Sequence, residues 1–400
     1  MLAFLPLADP LNAPALDGAI VVAYATTLDG TPIYARNEAL RVMPASNQKL
    51  FSAAFALNAL GPDARQATRI WKEHDRNVVE AEGDPLLTRA DLLKLDLDHR
   101  KPVYIAQAYA PGIPSGWEND DLKDRYAASI YALSVDTASF ELWGEHGRPQ
   151  LRPEPYGVKI ERQKAEKLDW IYDPFARRLI VKGPLPEKAT RIDTLATPRA
   201  DFAAASLLGR DPRATTDVPN RAPDIVLPGH TVAEAVAACL PPSDNNIAEH
   251  LLLNAATKFG PLGEDPYTTA TARLRAFAER TVGLPFEDVL PRDGSGLGRG
   301  NLVTARAMVG LLRWADRQPT RDLWRASLAK GGGPGTLRNR LTNVGFSGKT
   351  GSLSRVAALS GYLKRRDGTE AVVSVIVNHY AGSDAAVRAA MDAWVRSLSG

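Results

Sequence analysis

The chain has 400 residues, with 49 basic and 46 acidic side chains and a formal charge of +3. That near-neutral balance, with no long Lys/Arg run, argues against nucleic acid as the main partner, and no apolar run reaches the roughly 18 residues of a membrane helix. A single cysteine, Cys239, excludes an intrachain disulfide or a Cys-based zinc site, and the six histidines show no HExxH or HxH spacing, so no metal is expected.

The first ten residues are apolar but lack a basic segment. They fit either the tail of a longer signal peptide or an unstructured terminus. Residues 18–36 predict a hairpin turning at Asp29-Gly30. A helix is expected over 46–60, stopped by Gly61-Pro62, with Leu50, Ala53, Ala54 and Leu57 on one buried face. From about 68 to 195 the charge density rises and short strand-like pieces replace amphipathic helices, so this stretch reads as an inserted, mainly β domain or pair of domains. Its charged run at 159–169 reads as a solvated surface.

Helical signals return at 200–208, 232–240 and 245–258. A hairpin is expected from 355–364 and 370–378, turning at Arg366-Asp367-Gly368. The last helix begins at the candidate N-cap Ser383 and carries Val387, Met391, Trp394 and Leu398 on one stripe.

Three short motifs carry the chemistry. In Ser46-Asn47-Gln48-Lys49, residues i and i+3 share a helix face, so the Ser46 hydroxyl and the Lys49 amine can meet. A serine hydroxyl is a weak nucleophile until a base takes its proton, and lysine serves as that base only when its pKa falls. Ser243-Asp244-Asn245 stands at a helix entrance, where a hydroxyl can relay a proton and an amide can hold a partner. Lys349-Thr350-Gly351-Ser352 lies ahead of the C-terminal hairpin and offers a cation and hydroxyls to an anionic substrate end. Gly351 is expected to admit a substrate backbone.

Each motif alone is weak. A second SxxK runs from Ser327 to Lys330, Ser-x-Asn is usually an N-cap, and Lys-Thr-Gly is usually a turn. A given three-residue string is expected on the order of 0.05 times in a chain this long, so two of them following an SxxK, in order, carry information. The order rejects Ser327. Asp293-Gly294-Ser295-Gly296 fails the GxSxG spacing, which disfavours an α/β-hydrolase. Cys239, Glu249, His250 and Trp117 are read as structural residues.

The ordered set resembles the active-site motifs of serine β-lactamases and penicillin-binding proteins. The gap from Ser46 to Ser243 is nearly twice that from Ser243 to Lys349. That long gap resembles the D-alanyl-D-alanine carboxypeptidase/endopeptidase family of low-molecular-mass penicillin-binding proteins (class C). Gly83-Asp84-Pro85, Gly116-Trp117, Ala132-Leu133-Ser134-Val135 and Gly335-Thr336-Leu337 look like further landmarks. Ser352 stands where many relatives have Thr, and Gly333-Pro334-Gly335 replaces an expected Gly-Asp-Gly.

The resemblance implies an α/β (α+β) serine transpeptidase-like fold, an antiparallel sheet flanked by helices beside an all-helical region. Residues 1–67 and 196–400 would form the catalytic domain, and 68–195 the accessory insert. It makes Ser46 the acylated nucleophile, Lys49 its base, and Ser243 and Asn245 the relay and positioning pair. Lys349, Thr350, Gly351 and Ser352 would bind the terminal carboxylate and line the strand, and the Ser46 and Ser352 N–H groups would form the oxyanion hole. The Lys349 ammonium is expected to favour a neutral Lys49.

The implied reaction is hydrolysis of D-Ala-D-X bonds in peptidoglycan stem peptides outside the cytoplasmic membrane. β-Lactams would acylate the same serine, and no cofactor is implied. A fast-deacylating β-lactamase or esterase, and a non-catalytic peptidoglycan-binding protein, stand as alternatives.

Overall fold

The computed structural model describes residues 9–400, so of the apolar first ten residues, read above as a signal tail or an unstructured terminus, 1–8 lie outside the described residues. The chain forms two compact units. One takes residues up to 58 with 236–244 and 271–400; the other takes 59–235 and 245–270.

The first unit is built on a six-stranded antiparallel sheet. Its strands run, edge to edge, Ala329–Lys330, Phe346–Leu353, Val356–Lys364, Glu370–Asn378, Ile20–Thr27 and Pro32–Arg36. The two hairpins fall where the sequence places them. The central strands are buried almost throughout because helices cover both faces. One face is apolar: Val21, Ala23, Leu359, Val373, Val375 and Val377 share a core with Val387, Met391, Trp394 and Val395 of the helix Asp384–Ser397. The stripe read from the sequence buries that helix, and Ser383 caps it by accepting the Ala386 N–H at 3.3 Å.

The opposite face carries polar groups. Lys349, Ser360 and Ser374 stand directly opposite one another across three strands and therefore share it. Helix Ala305–Ala315 packs here, and Tyr362 donates its hydroxyl to Leu312 O at 2.7 Å.

The lysine-glycine motif precedes the last hairpin, as the sequence reading has it, and lies on a further strand that the sequence does not announce, Phe346–Leu353, paired along its length with Val356–Lys364. Gly348, Gly351 and two serines mask the alternation that marks a strand. The short turn after it is made by Ser354 and Arg355, the latter at φ +60°.

The second unit holds a five-stranded mixed sheet and two three-stranded sheets. The three-stranded sheets, Lys159–Gln163/Arg178–Lys182/Asp169–Asp173 and Thr190–Ala196/Ser139–Glu145/Arg148–Arg152, share one small core around Phe140, Leu142, Tyr172, Leu179 and Val181. Every residue of strand Lys159–Gln163 is exposed, as its charged sequence suggests. Segments 196–235 and 245–270, grouped at the sequence level with 1–67, lie in this unit. Trp117, Glu249 and His250 are buried in it.

Candidate active site

Ser46 lies in a 3-10 turn, Ala45–Asn47, that opens directly into helix Gln48–Leu60. In such a turn residues i and i+3 nearly eclipse. Lys49 Nζ accordingly donates to Ser46 Oγ at 2.9 Å, and also to the Ser295 carbonyl at 2.8 Å. The turn is held from three sides. Asn378 brackets Met43, accepting its N–H at 2.9 Å and donating to its carbonyl at 3.1 Å. Asn47 donates to Ser360 Oγ at 2.7 Å, and Ser360 in turn to Ser374 Oγ at 2.9 Å. Gly351 brings the motif strand against the turn, since a Cβ there would sit 2.7 Å from Pro44 O and 3.1 Å from Ala45 Cβ. This glycine is thus needed for the chain's own packing, rather than for the substrate approach read from the sequence.

Beneath the turn runs loop 293–301, organised by one buried carboxylate. Asp293 accepts the N–H groups of Gly296 and Gly298, both at 2.7 Å, and the Asn301 amide at 2.9 Å. Ser52 donates to Gly294 O at 2.7 Å. The loop aims the Ser295 carbonyl at Lys49. Sequence reasoning missed this contribution because it comes from the backbone, and the glycine density of 293–300 was the available signal.

Lys349 Nζ donates to Ser243 Oγ at 2.8 Å and to Thr350 O at 2.7 Å. Lys49 and Lys349 are both 0% exposed, so both amines are cut off from bulk water. Burial first, and the Lys49 charge second, push Lys349 well below the ordinary lysine range. The repulsion is mutual, so the pair holds one proton more readily than two. Ala45 and Ser243, flanking and within two motifs, both have left-handed backbones at φ +47° and +68°. Non-glycine residues adopt that region at a cost of about 1–2 kcal/mol, which the surrounding hydrogen bonds must offset.

Thr350 is buried and Ser352 exposed, on the face that the C-terminal helix covers. Ala329–Lys330 pairs only with Gly348 and Ser347, so among the described residues no strand borders the outer edge beyond Gly348. An extended ligand can pair with that edge.

Ser46, Lys49, Ser243, Lys349, Thr350, Gly351 and Ser352 therefore all lie in the first unit. Asn245 begins helix Asn245–Thr257 in the second, where its amide donates to Tyr126 O at 2.7 Å. The competing SxxK forms no pair: Ser327 donates to Leu323 O, and Lys330 is exposed. Cys239 is fully buried, as expected of a packing residue. Gly335, at φ +97°, lets its loop lie on Pro241, whose carbonyl accepts the Thr336 N–H at 3.1 Å.

A serine hydroxyl beside a buried amine, a second amine–hydroxyl pair and an open strand edge make up the parts from which an acyl-transfer site is built. The model of the D-Ala-D-Ala carboxypeptidase 3 (S13) family matches residues 6–210 and 230–398. A D-alanyl-D-alanine carboxypeptidase from Actinomadura sp. (strain R39) is 30% identical over 93% of this chain and 80% of its own. The crystal structure of penicillin binding protein 4 (dacB) from Haemophilus influenzae matches with a TM-score of 0.83 at 19% identity, over 99% of both chains. That protein complexed with a β-lactam gives a TM-score of 0.76 at 20% identity, over 96% of each. The fold is the one expected, an antiparallel sheet flanked by helices.

Proposed function

The chain belongs to the D-Ala-D-Ala carboxypeptidase 3 (S13) family of serine DD-peptidases, and from that premise we propose that it hydrolyses D-Ala-D-X bonds of peptidoglycan stem peptides through an acyl-enzyme on Ser46. The observation that carries this reading is the 2.9 Å contact between Lys49 Nζ and Ser46 Oγ, with the amine also fixed by Ser295 O. Neutral Lys49 takes the Ser46 proton as Oγ attacks the D-alanyl carbonyl. The Ser46 and Ser352 N–H groups receive the oxyanion. Ser243, hydrogen-bonded to Lys349, returns a proton to the leaving amine as the peptide bond breaks. Water then releases the acyl group from Ser46.

The substrate adds along the open edge beyond Gly348, with the hydroxyls of Thr350 and Ser352 and the close-packed Gly351 beside it. The bond cleaved is terminal, a cross-link, or both. β-Lactams acylate the same serine, a reading supported by the β-lactam complex of the Haemophilus influenzae protein. Peptidoglycan places the enzyme outside the cytoplasmic membrane, and among the described residues no helix is long and apolar enough to cross one. Residues 68–195, all within the second unit, serve as an accessory insert.

The test is product analysis by chromatography and mass spectrometry with a D-Ala-D-Ala-terminated stem peptide and a cross-linked dimer. The wild type should release D-Ala, split the dimer, or both, and Ser46→Ala should do neither. Equal activity in the two proteins would refute the assignment.

A further inference from the structure

The cation that the sequence reading gave to a substrate carboxylate, Lys349, is fully buried, and both its hydrogen bonds go to protein oxygens. A different cation stands at the rim. Arg388, on the second turn of helix Asp384–Ser397, places Nη2 3.3 Å from Ser352 Oγ. The register explains the meeting. Ser352 lies opposite Ala357, whose side chain belongs to the core that this helix covers, so the Ser352 hydroxyl points toward the helix at the end of the open edge.

Arg388 is half-buried, with 40% of its side chain exposed, and its carboxylate neighbour is Asp384 at 3.4 Å, itself 58% exposed. That pair is solvent-screened and uses the same Nη2 that faces Ser352, so it does not occupy the whole guanidinium. Asp384 also accepts the Tyr380 hydroxyl at 2.7 Å, on its other carboxylate oxygen. Two further arginines surround the turn after the strand: Arg299 donates to Ser354 O at 3.2 Å and Arg355 to Tyr380 O at 3.0 Å. The end of the motif strand is therefore a basic rim.

We propose that Arg388, acting with the Ser352 hydroxyl, is the carboxylate-binding residue of the site, selecting substrates whose leaving residue carries a carboxylate next to the scissile nitrogen. A guanidinium presents two parallel N–H groups to a carboxylate, and Ser352 Oγ supplies a third donor when the arginine turns from it to the ligand. This rests on the serine-peptidase reading above, because the carboxylate lies at the substrate end that follows the bond Ser46 attacks.

The test compares two substrates: a D-Ala-D-Ala-terminated peptide, and the matching D-alanyl thioester with an uncharged leaving group. In Arg388→Ala, KM for the peptide should rise about tenfold, the size of one partly exposed charge-assisted contact, with kcat little changed. The thioester should be hydrolysed as by the wild type, and Arg388→Lys should fall between. The wild-type preference for the peptide should shrink with salt, and that dependence should vanish in Arg388→Ala. Unchanged peptide KM, or equal losses on both substrates, would overturn the clamp while a benzylpenicillin adduct on the variant showed the site intact. A wild type that hydrolysed neither substrate and took no adduct would instead overturn the serine-peptidase reading, and the clamp with it.

Discussion

Gly296 is the position where one methyl group should damage the site most. Its φ is +81°, and a Cβ there would lie 1.9 Å from the carbonyl oxygen of Ala45, 2.6 Å from its carbon and 2.8 Å from Gln48 Cβ. Two of these atoms are backbone, so no side chain can swing away. Ala45 immediately precedes Ser46, is already at φ +47°, and cannot yield without moving the Ser46 hydroxyl. Left-handed alanine costs about 1–2 kcal/mol and overpacking about 1–3 kcal/mol, so Gly296→Ala should lose about 2–5 kcal/mol of stability. Relieving the clash takes a shift of roughly 1 Å, which for a reacting atom corresponds to about a hundredfold loss of rate. The control is Gly368→Ala, at φ +84° in the last hairpin with nothing within 4 Å of the added carbon. It should cost the backbone term alone, about 1–2 kcal/mol, and leave acylation intact. Urea denaturation and the acylation rate with a fluorescent penicillin read the two effects. A Gly296→Ala protein no less stable than Gly368→Ala and acylating at the wild-type rate would refute the packing argument.

Lys49→Ala should lower the Ser46 acylation rate by about a hundredfold or more, the usual worth of a general base, in the same fluorescent assay; a normal rate would eliminate Lys49 as the base. Asn47→Ala removes the 2.7 Å bond to Ser360 and should cost about 1–3 kcal/mol in urea denaturation with slower acylation, whereas Ser327→Ala, in the competing SxxK, should acylate normally. Lys349 has a pH signature. A lysine held below its ordinary 10.5 binds fewer protons folded than unfolded, so wild-type stability should rise as pH increases toward 10.5 and level off above it. Against Lys349→Met, which lacks this titration, the wild type should gain stability between pH 7 and 10 by urea denaturation, while the variant fails to acylate; a relative loss over that range would reverse the sign.

The sequence revealed what local spacing encodes. Ser46 and Lys49 are three residues apart, so their contact needs only a helical turn. Ser243 and Lys349 are far apart in the chain, and only the order of known motifs suggested that they meet. The last helix was legible from its stripe of Val387, Met391 and Trp394. The motif strand was not, because Gly348 and Gly351 are there for close packing against other strands and the turn that carries Ser46, and glycine resembles a turn signal. Helix Pro266–Arg280 went unread because arginine and threonine interrupt its apolar face. Ser295 contributes a carbonyl, which any residue type could supply. Arg388 is invisible from composition, since its meaning comes from the strand register that turns Ser352 toward its helix.

The most direct test of the account is the intact mass of the wild type and Ser46→Ala after incubation with benzylpenicillin. A lasting adduct of one penicillin should form on the wild type and none on the variant. Penicillin left untouched by the wild type would contradict it and favour a peptidoglycan-binding scaffold, and penicillin consumed without a lasting adduct would contradict it in favour of a β-lactamase.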